Sequence, residues 1–158
     1  MTIKKSTSQN SKNKPLANNQ SQGSTYIKNF LERNKIEFIK EKKFDDCKYK
    51  NKLRFDFYLE KYNLLIEYDG KQHFKYNGDN SFPKLYKNVD GFYISLKKDQ
   101  IKNNYAKKNH INFLRIPYKT YLDEIDKIIN DMIEEINKDK HIIKFYNKYL
   151  YDIYKIME

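Results

Sequence analysis

The sequence lacks the residues and segments that typify disulfide-stabilised, secreted and membrane-spanning proteins. One cysteine, Cys47, in 158 residues excludes an internal disulfide and offers no cysteine cluster for zinc. The amino-terminal residues lack the apolar stretch of a signal peptide, and no apolar run approaches the length needed to span a membrane. These absences predict a soluble intracellular protein, without distinguishing the cytoplasm from the nucleus.

Acidic residues are outnumbered by basic ones. The chain has 32 Lys and Arg residues against 21 Asp and Glu residues, a formal net charge of +11 and a pI near 9.4. Such an excess favours a polyanionic partner, either nucleic acid or an anionic membrane surface. A compositional bias toward Lys, Asn, Ile and Tyr, as in an AT-rich genome, would produce the same excess. Charge alone therefore does not decide between the two explanations.

The length suits one domain, and the pattern divides the chain into three regions. Residues 1–23, mostly Ser, Asn, Gln and Lys, predict a disordered basic tail. Residues 24–122 predict an α/β core. Residues 123–158 predict a C-terminal helical extension, because apolar residues recur there at helical spacing. The predicted core comprises a helix capped by Ser24 or Thr25, strands at residues 36–40, 53–59 and 64–69, a polar loop at 71–94, a helix from about residue 94, and a strand at 111–116.

Two of the predicted strands form an antiparallel hairpin that juxtaposes two carboxylates. Symmetric pairing about the turn sets Phe57 opposite Ile66, because a slip of one residue would break the match between the apolar faces. The same register sets Asp56 opposite Glu67, and residue 54 opposite residue 69.

Like charges at opposed positions repel, and charge within an apolar strand is costly to bury. A divalent cation such as magnesium would relieve both costs. The alternative is a pair solvated on an open sheet face, with Arg54 and nearby lysines compensating. The polar run at residues 69–73, which begins two residues after Glu67, favours a functional site.

Four segments resemble the core of small PD-(D/E)XK nucleases, which have the restriction-endonuclease-like fold. They are residues 54–59 (Arg-Phe-Asp-Phe-Tyr-Leu), 64–73 (Leu-Leu-Ile-Glu-Tyr-Asp-Gly-Lys-Gln-His), 98–105 and 114–118. The most similar group is related to the very-short-patch mismatch-repair endonucleases. The resemblance covers about residues 23–118. It implies an αβββαβ core with a mixed central sheet.

The resemblance also implies a metal site and a catalytic set. Asp56 and Glu67 match the two acidic residues that ligate Mg²⁺ or Mn²⁺. Asp69 stands where the common motif has lysine, so another residue would take that part. His73 could be a general base if it is neutral, or only an exposed polar residue. The candidate catalytic residues are Asp56, Glu67, Asp69, Gln72, His73 and Lys102, and the candidates for the missing lysine's role are Lys71, Gln72, His73 and Lys102.

A second departure lies near the start of the first helix. Related proteins often have a glutamate there, whereas this chain has Ser24. Glu32 or Glu41 would then serve in its place, or the site would be impaired.

The implied reaction is hydrolysis of phosphodiester bonds in DNA, although the sequence does not separate DNA from RNA. Two alternatives remain open: an inactive nucleic-acid-binding module on the same fold, and a protein-interaction module whose C-terminal helices bind a partner or a second copy. Arg115 could instead pair with an acidic residue. The candidates for nucleic-acid contact are Arg54, Lys71, Lys98 and Arg115.

Overall fold

The computed structural model describes residues 20–74, 89–146 and 151. Within these ranges the five strands form one mixed sheet in the order β1-β2-β3-β4-β5. The first three strands are antiparallel, whereas β4 runs parallel to β3 and β5 runs parallel to β4. The elements are α1 (Gln20–Arg33), β1 (Ile39–Lys48), β2 (Lys52–Leu59), β3 (Leu64–Asp69), α2 (Val89–Lys108), β4 (Asn112–Pro117), α3 (Leu122–Ile136) and β5 (Ile143–Phe145).

Helices cover both faces of the sheet. Helices α1 and α3 pack on one face, where their apolar residues meet those of β3 and β4, while α2 lies on the other. All six residues of β3 and all six of β4 are buried, as expected for strands covered on both sides. None of the helices in the described ranges has both the length and the apolar character to cross a membrane.

The predicted order of elements is confirmed through β4, as is the mixed sheet, but several boundaries were wrong. Helix α1 begins at Gln20, ahead of the predicted cap at Ser24, and α2 begins inside the predicted loop. Strand β1 continues through Asp45 and Asp46, because most of its side chains are exposed at the sheet edge and polar residues cost little there. Residues 1–19 and 75–88, which include most of the predicted tail and part of the predicted loop, lie outside the described residues.

The predicted helical extension was wrong for the residues directly after α3. Strand β5 lies there instead, beside β4: the backbone N–H of Phe113 donates to Ile142 O at 2.9 Å, and that of Tyr146 donates to Arg115 O at 3.0 Å. The edge of β4 offers unpaired backbone groups, and pairing them outweighs the local helical preference. Tyr151 is buried, and residues 147–150 and 152–158 lie outside the described part of the chain.

Candidate active site

Strand β2 changes face at Asp56. Phe55 packs with the apolar cluster beneath α2, whereas Phe57 packs with the cluster beneath α1 and α3. Residues two apart in a regular strand share a face, so the alternation is broken between them. The predicted alternation is confirmed, since Leu53, Phe55, Phe57 and Leu59 are all buried, but these four residues are divided between the two faces of the sheet.

The hairpin register is as predicted next to the turn, where Phe57 pairs with Ile66. The ladder between β2 and β3 ends at that pair. Beyond it, one carboxylate oxygen of Asp56 accepts the backbone N–H of Tyr68 at 2.9 Å. The ladder does not reach Arg54, so the predicted cross-strand pairing of residues 54 and 69 was wrong; Arg54 pairs with Lys43 of β1, on the other edge of β2.

Asp56 and Glu67 nevertheless line one cleft, together with Lys102 of α2. The Nζ atom of Lys102 lies 2.8 Å from Glu67 Oε1, and the Glu67 side chain is only 1% exposed. Helix α2 covers this face of the sheet, so its inward side places an ammonium group on the β3 carboxylate. The open cleft has a volume of about 780 Å³, and the residues that line it are Ser24, Glu41, Tyr49, Lys50, Asn51, Lys52, Leu53, Arg54, Asp56, Glu67, His73, Ile94, Ser95, Lys98, Asp99 and Lys102.

The electrostatics of these three groups favour an additional cation. Burial, reinforced by the Asp56 charge and opposed by Lys102, raises the pKa of Glu67 to about 7. Burial also raises the pKa of Asp56. Burial alone would lower the pKa of Lys102, but the charge and hydrogen bond of Glu67 together with the charge of Asp99 raise it. Two buried carboxylates thus share one ammonium group. Oxygen donors of this kind suit a hard divalent cation, so the residues present fit the expected metal.

Of the four candidates for the missing lysine's role, Lys102 is the residue that contacts Glu67. Lys71 and Gln72 belong to a 3-10 turn after β3 and do not line the described cleft. His73 lines it but is bound to Asp99. The geometry therefore favours Lys102.

Asp69 and Arg115 form a buried ion pair behind the cleft. Arg115 Nη1 lies 2.7 Å from Asp69 Oδ1 and 2.9 Å from Oδ2, and both side chains are fully buried. Arg115 Nε also donates to Asn103 Oδ1 at 2.8 Å, and the Tyr151 hydroxyl donates to Asp69 Oδ2 at 2.8 Å. The prediction that Arg115 contacts nucleic acid was wrong, because no part of it reaches the surface. Asp69 holds Arg115 and does not line the cleft.

His73 joins the same buried group. Its Nδ1 lies 2.7 Å from Asp99 Oδ2 and 3.6 Å from Asp69 Oδ1. Burial opposes protonation, yet the two carboxylates raise the pKa of His73 to about 9. Despite burial, His73 and Arg115 hold the pKa of Asp99 well below its usual range. His73 is thus a cation at neutral pH, unsuited to act as a general base. It is also not the exposed residue of the alternative prediction.

Asp69, His73 and Asp99 could by spacing hold a metal ion, since one ligand atom from each lies within 4.8 Å of the others. Arg115 already contacts both carboxylates, and protonated His73 contacts Asp99 at 2.7 Å. The positive charge that a metal would provide is therefore already present. Asp56 and Glu67 are the better candidates for metal ligands.

The rim of the cleft carries several basic residues. Two of the candidates for nucleic-acid contact line it: Lys98, and Arg54, whose Nη1 lies 3.1 Å from Glu41 Oε1. Ser24 also lines the cleft, whereas Glu32 lies at a separate surface depression. Of the two glutamates considered as substitutes near Ser24, Glu41 is therefore the one at the cleft.

Sequence reasoning missed Asp99, Asn103 and Tyr151. A signal existed for the first two, because Asp99, Lys102 and Asn103 are spaced three and four residues apart and share one side of a helix. Tyr151 had no signal of its own within an aromatic, apolar run. The basic residues of the cleft that were also missed are Lys50 and Lys52.

Comparison with known proteins gives little further information. No family model matches the chain, and no solved structure matches it. A segment of 66 residues, 42% of the chain, is 30% identical to "Uncharacterized protein 307L" of Invertebrate iridescent virus 6. The match spans 31% of the viral protein, whose name states no activity.

Proposed function

We propose that this chain is a metal-dependent endonuclease of the restriction-endonuclease-like fold that hydrolyses phosphodiester bonds in DNA. The observation that carries the proposal is the convergence of Asp56, Glu67 and Lys102 in one cleft with a basic rim. The four segments similar to PD-(D/E)XK nucleases supply the reaction type and the preference for DNA.

Each of the three groups has a part in this chemistry. Asp56 and Glu67 would hold Mg²⁺ or Mn²⁺, and Tyr68 N–H fixes the orientation of the Asp56 carboxylate. When bound, the cation would supply Lewis-acid activation of water and offset charge on the phosphate. Lys102 stabilises ionised Glu67 and presents a second positive charge for the phosphate oxygens. Cationic His73 binds Asp99, which lies one helical turn before Lys102 on α2. This contact helps to hold that part of the helix, and with it Lys102, against the cleft.

The direct test is incubation of the purified chain with supercoiled, linear and mismatched DNA and with RNA, in magnesium, manganese or EDTA. We expect DNA cleavage with either metal and none in EDTA. Asp56→Ala and Glu67→Ala should each abolish cleavage in a folded protein. Cleavage by either variant near the wild-type rate would refute the assignment, and cleavage of RNA alone would change the substrate.

A non-catalytic nucleic-acid-binding protein is the second candidate. The observation that favours it is Ser24 at the cleft, where related proteins often have a glutamate. Metal-independent binding of DNA without cleavage in any metal would support this candidate over the nuclease.

A further inference from the structure

The turn between β1 and β2 concentrates positive charge. Residues 48–52 read Lys-Tyr-Lys-Asn-Lys, and Lys48 pairs with Lys52 across the strands. The turn is closed by the N–H of Tyr49, which donates to Asn51 O at 3.2 Å. Like charges in such proximity repel one another, so the turn would be stabilised by an anionic partner.

Two lysines of α2 extend this positive surface. The Tyr49 ring is partly buried, and the Nζ atoms of Lys97 and Lys98 lie 5.5 Å and 5.9 Å from its centroid. Cation–π attraction to the ring restrains the otherwise flexible side chains of these two lysines. We call this surface the lysine clamp, and it consists of Lys48, Lys50, Lys52, Lys97 and Lys98.

Acidic neighbours neutralise little of the lysine clamp. Lys52 lies 2.6 Å from Asp45, whose side chain is 94% exposed, so the pair is screened by solvent. The other four lysines form no ion pair with any residue in the described ranges. All four are exposed.

The lysine clamp lies at the edge of the candidate active site. Lys50, Lys52 and Lys98 line the same cleft as Asp56 and Glu67. A chain of phosphates entering the cleft would therefore meet the clamp beside the carboxylates. An isolated phosphate or a small acidic ligand would not need charges spread over two separate elements.

We propose that the lysine clamp binds the phosphate backbone of the nucleic acid on one side of the phosphate that is cleaved. The inference rests on the proposed function for the identity of the reacting phosphate, but not for the binding itself. The clamp recognises backbone charge and not base sequence, because lysine ammonium groups at phosphates carry no direct sequence information. Tyr49 positions two of the lysines.

The test measures the binding of a fluorescent 20-base-pair duplex, and of the corresponding single strand, in EDTA at several salt concentrations. Each phosphate contact contributes about 0.9 to the slope of log affinity against log salt for duplex DNA. The double variant Lys50→Ala/Lys98→Ala should lower that slope by about 2. The matched control Lys107→Ala/Lys108→Ala, which removes two exposed lysines at the far end of α2, should lower it much less.

Tyr49 provides a second measurement. Tyr49→Phe keeps the ring and should bind the duplex like wild type, whereas Tyr49→Ala should bind more weakly. Because the ring packs against the apolar cluster beneath α2, Tyr49→Ala should also melt at a lower temperature, and binding is compared at a temperature where circular dichroism shows both variants to be folded. Equal losses of slope in the clamp and control double variants would overturn the proposal. Negligible duplex binding by wild type in low salt would overturn it as well.

Cleavage kinetics separate this inference from the proposed nuclease activity. If both are right, the Lys50→Ala/Lys98→Ala variant should have a KM raised about tenfold or more and a nearly unchanged kcat. Salt-dependent binding that needs the lysine clamp, without any cleavage, would retain the clamp and refute the nuclease. Cleavage with no selective effect of the clamp variant on binding or KM would refute the clamp alone.

Discussion

The Lys102 ammonium group lies 2.8 Å from the carboxylate of Glu67, which is almost fully buried. Lys102→Ala should reduce turnover at least tenfold, because the variant loses both the Glu67 partner and a positive charge in the cleft. It should also destabilise the fold by about 3–5 kcal/mol, the usual cost of breaking a buried ion pair. Lys107→Ala, an exposed change on the same helix, should alter neither quantity. Turnover assays and urea unfolding of both variants test this, and equal effects would reduce Lys102 to a general charge contribution.

Two buried tyrosines should respond oppositely to loss of the hydroxyl group. The Tyr68 hydroxyl is buried without a hydrogen-bond partner among the described residues, whereas the Tyr151 hydroxyl donates to Asp69. Tyr68→Phe should therefore stabilise the protein by about 1 kcal/mol, and Tyr151→Phe should destabilise it by about 1.5–3 kcal/mol. Thermal unfolding of the two variants measures both effects. A loss of stability in Tyr68→Phe would reveal a partner for that hydroxyl.

Secondary-structure elements and their pairing could be predicted where apolar residues recur at the spacing of a helix or a strand. The pairing of Phe57 with Ile66 was predictable, because a shifted register would expose apolar side chains next to the turn. The break at Asp56 was not, because both neighbouring phenylalanines are buried and only the opposite faces distinguish them. The three residues of β5 form a strand only because the edge of β4 is available. Such a strand depends on tertiary structure and has no local signal.

The residues of the candidate site likewise fall into those that the strand pattern predicted and those that depend on tertiary packing. The hairpin pattern predicted Asp56 and Glu67 near one another, and both line the cleft. The roles of Lys102 and Arg115 depend on how α2 crosses the sheet, which a helical pattern does not specify. Arg115, chosen for its charge, proved to be the fully buried partner of Asp69.

The side chain of Asn112 forms hydrogen bonds to both the turn before β3 and the residue before β5. Its Nδ2 donates to Tyr62 O at 3.0 Å, and its Oδ1 accepts the N–H of Ile142 at 2.9 Å. Asn112→Ala would leave these backbone groups without their partner and should cost about 1–3 kcal/mol. Urea unfolding should show this loss. Asn109→Ala, an exposed change just after α2 that removes a hydrogen bond to Tyr105 O, should cost much less, and similar losses in the two variants would show that Asn112 does not link these two segments.

At the scale of the whole molecule, the buried ionisable groups make stability depend on pH. The pKa of His73 is raised above its ordinary value of 6.5 to about 9. A raised histidine pKa contributes stability that is complete below about pH 6.5 and is lost as the pH rises through about 9. The pKa of Glu67 is also raised, to about 7, and its contribution is lost mainly between pH 4.5 and 7. Above pH 7 the dependence should therefore come chiefly from His73.

Melting temperatures in EDTA between pH 6.5 and 9.5 test this expectation. Wild type should lose stability across the interval. His73→Gln, which cannot titrate, should start lower and change much less. A wild-type curve parallel to that of the variant would show that the Asp99 and Asp69 carboxylates do not hold the proton on His73.

The cleft should also trade stability for metal binding. Burial raises the pKa of both Asp56 and Glu67, and the Asp56 charge raises that of Glu67 further, so ionising both carboxylates is unfavourable in the folded protein. Asp56→Asn removes one of these charges and keeps an oxygen for the Tyr68 N–H. The variant should therefore melt at a higher temperature than wild type in EDTA at pH 8, while cleaving DNA very poorly, as expected where a functional site stores unfavourable charge.

Magnesium should reverse the order of the two proteins. A ligand that binds only the folded state stabilises it by about 2.7 kcal/mol at a concentration one hundred times its Kd. Wild type, with both carboxylates, should gain this stabilisation, and Asp56→Asn should gain much less because it retains one ionised ligand. Glu32→Gln, at a surface depression away from the cleft, serves as the control and should respond like wild type. The contrary outcome is that Asp56→Asn is less stable than wild type in EDTA and that magnesium shifts all three proteins equally. In that case Asp56 and Glu67 do not form a metal site, and the positive charge of Lys102 alone compensates both carboxylates.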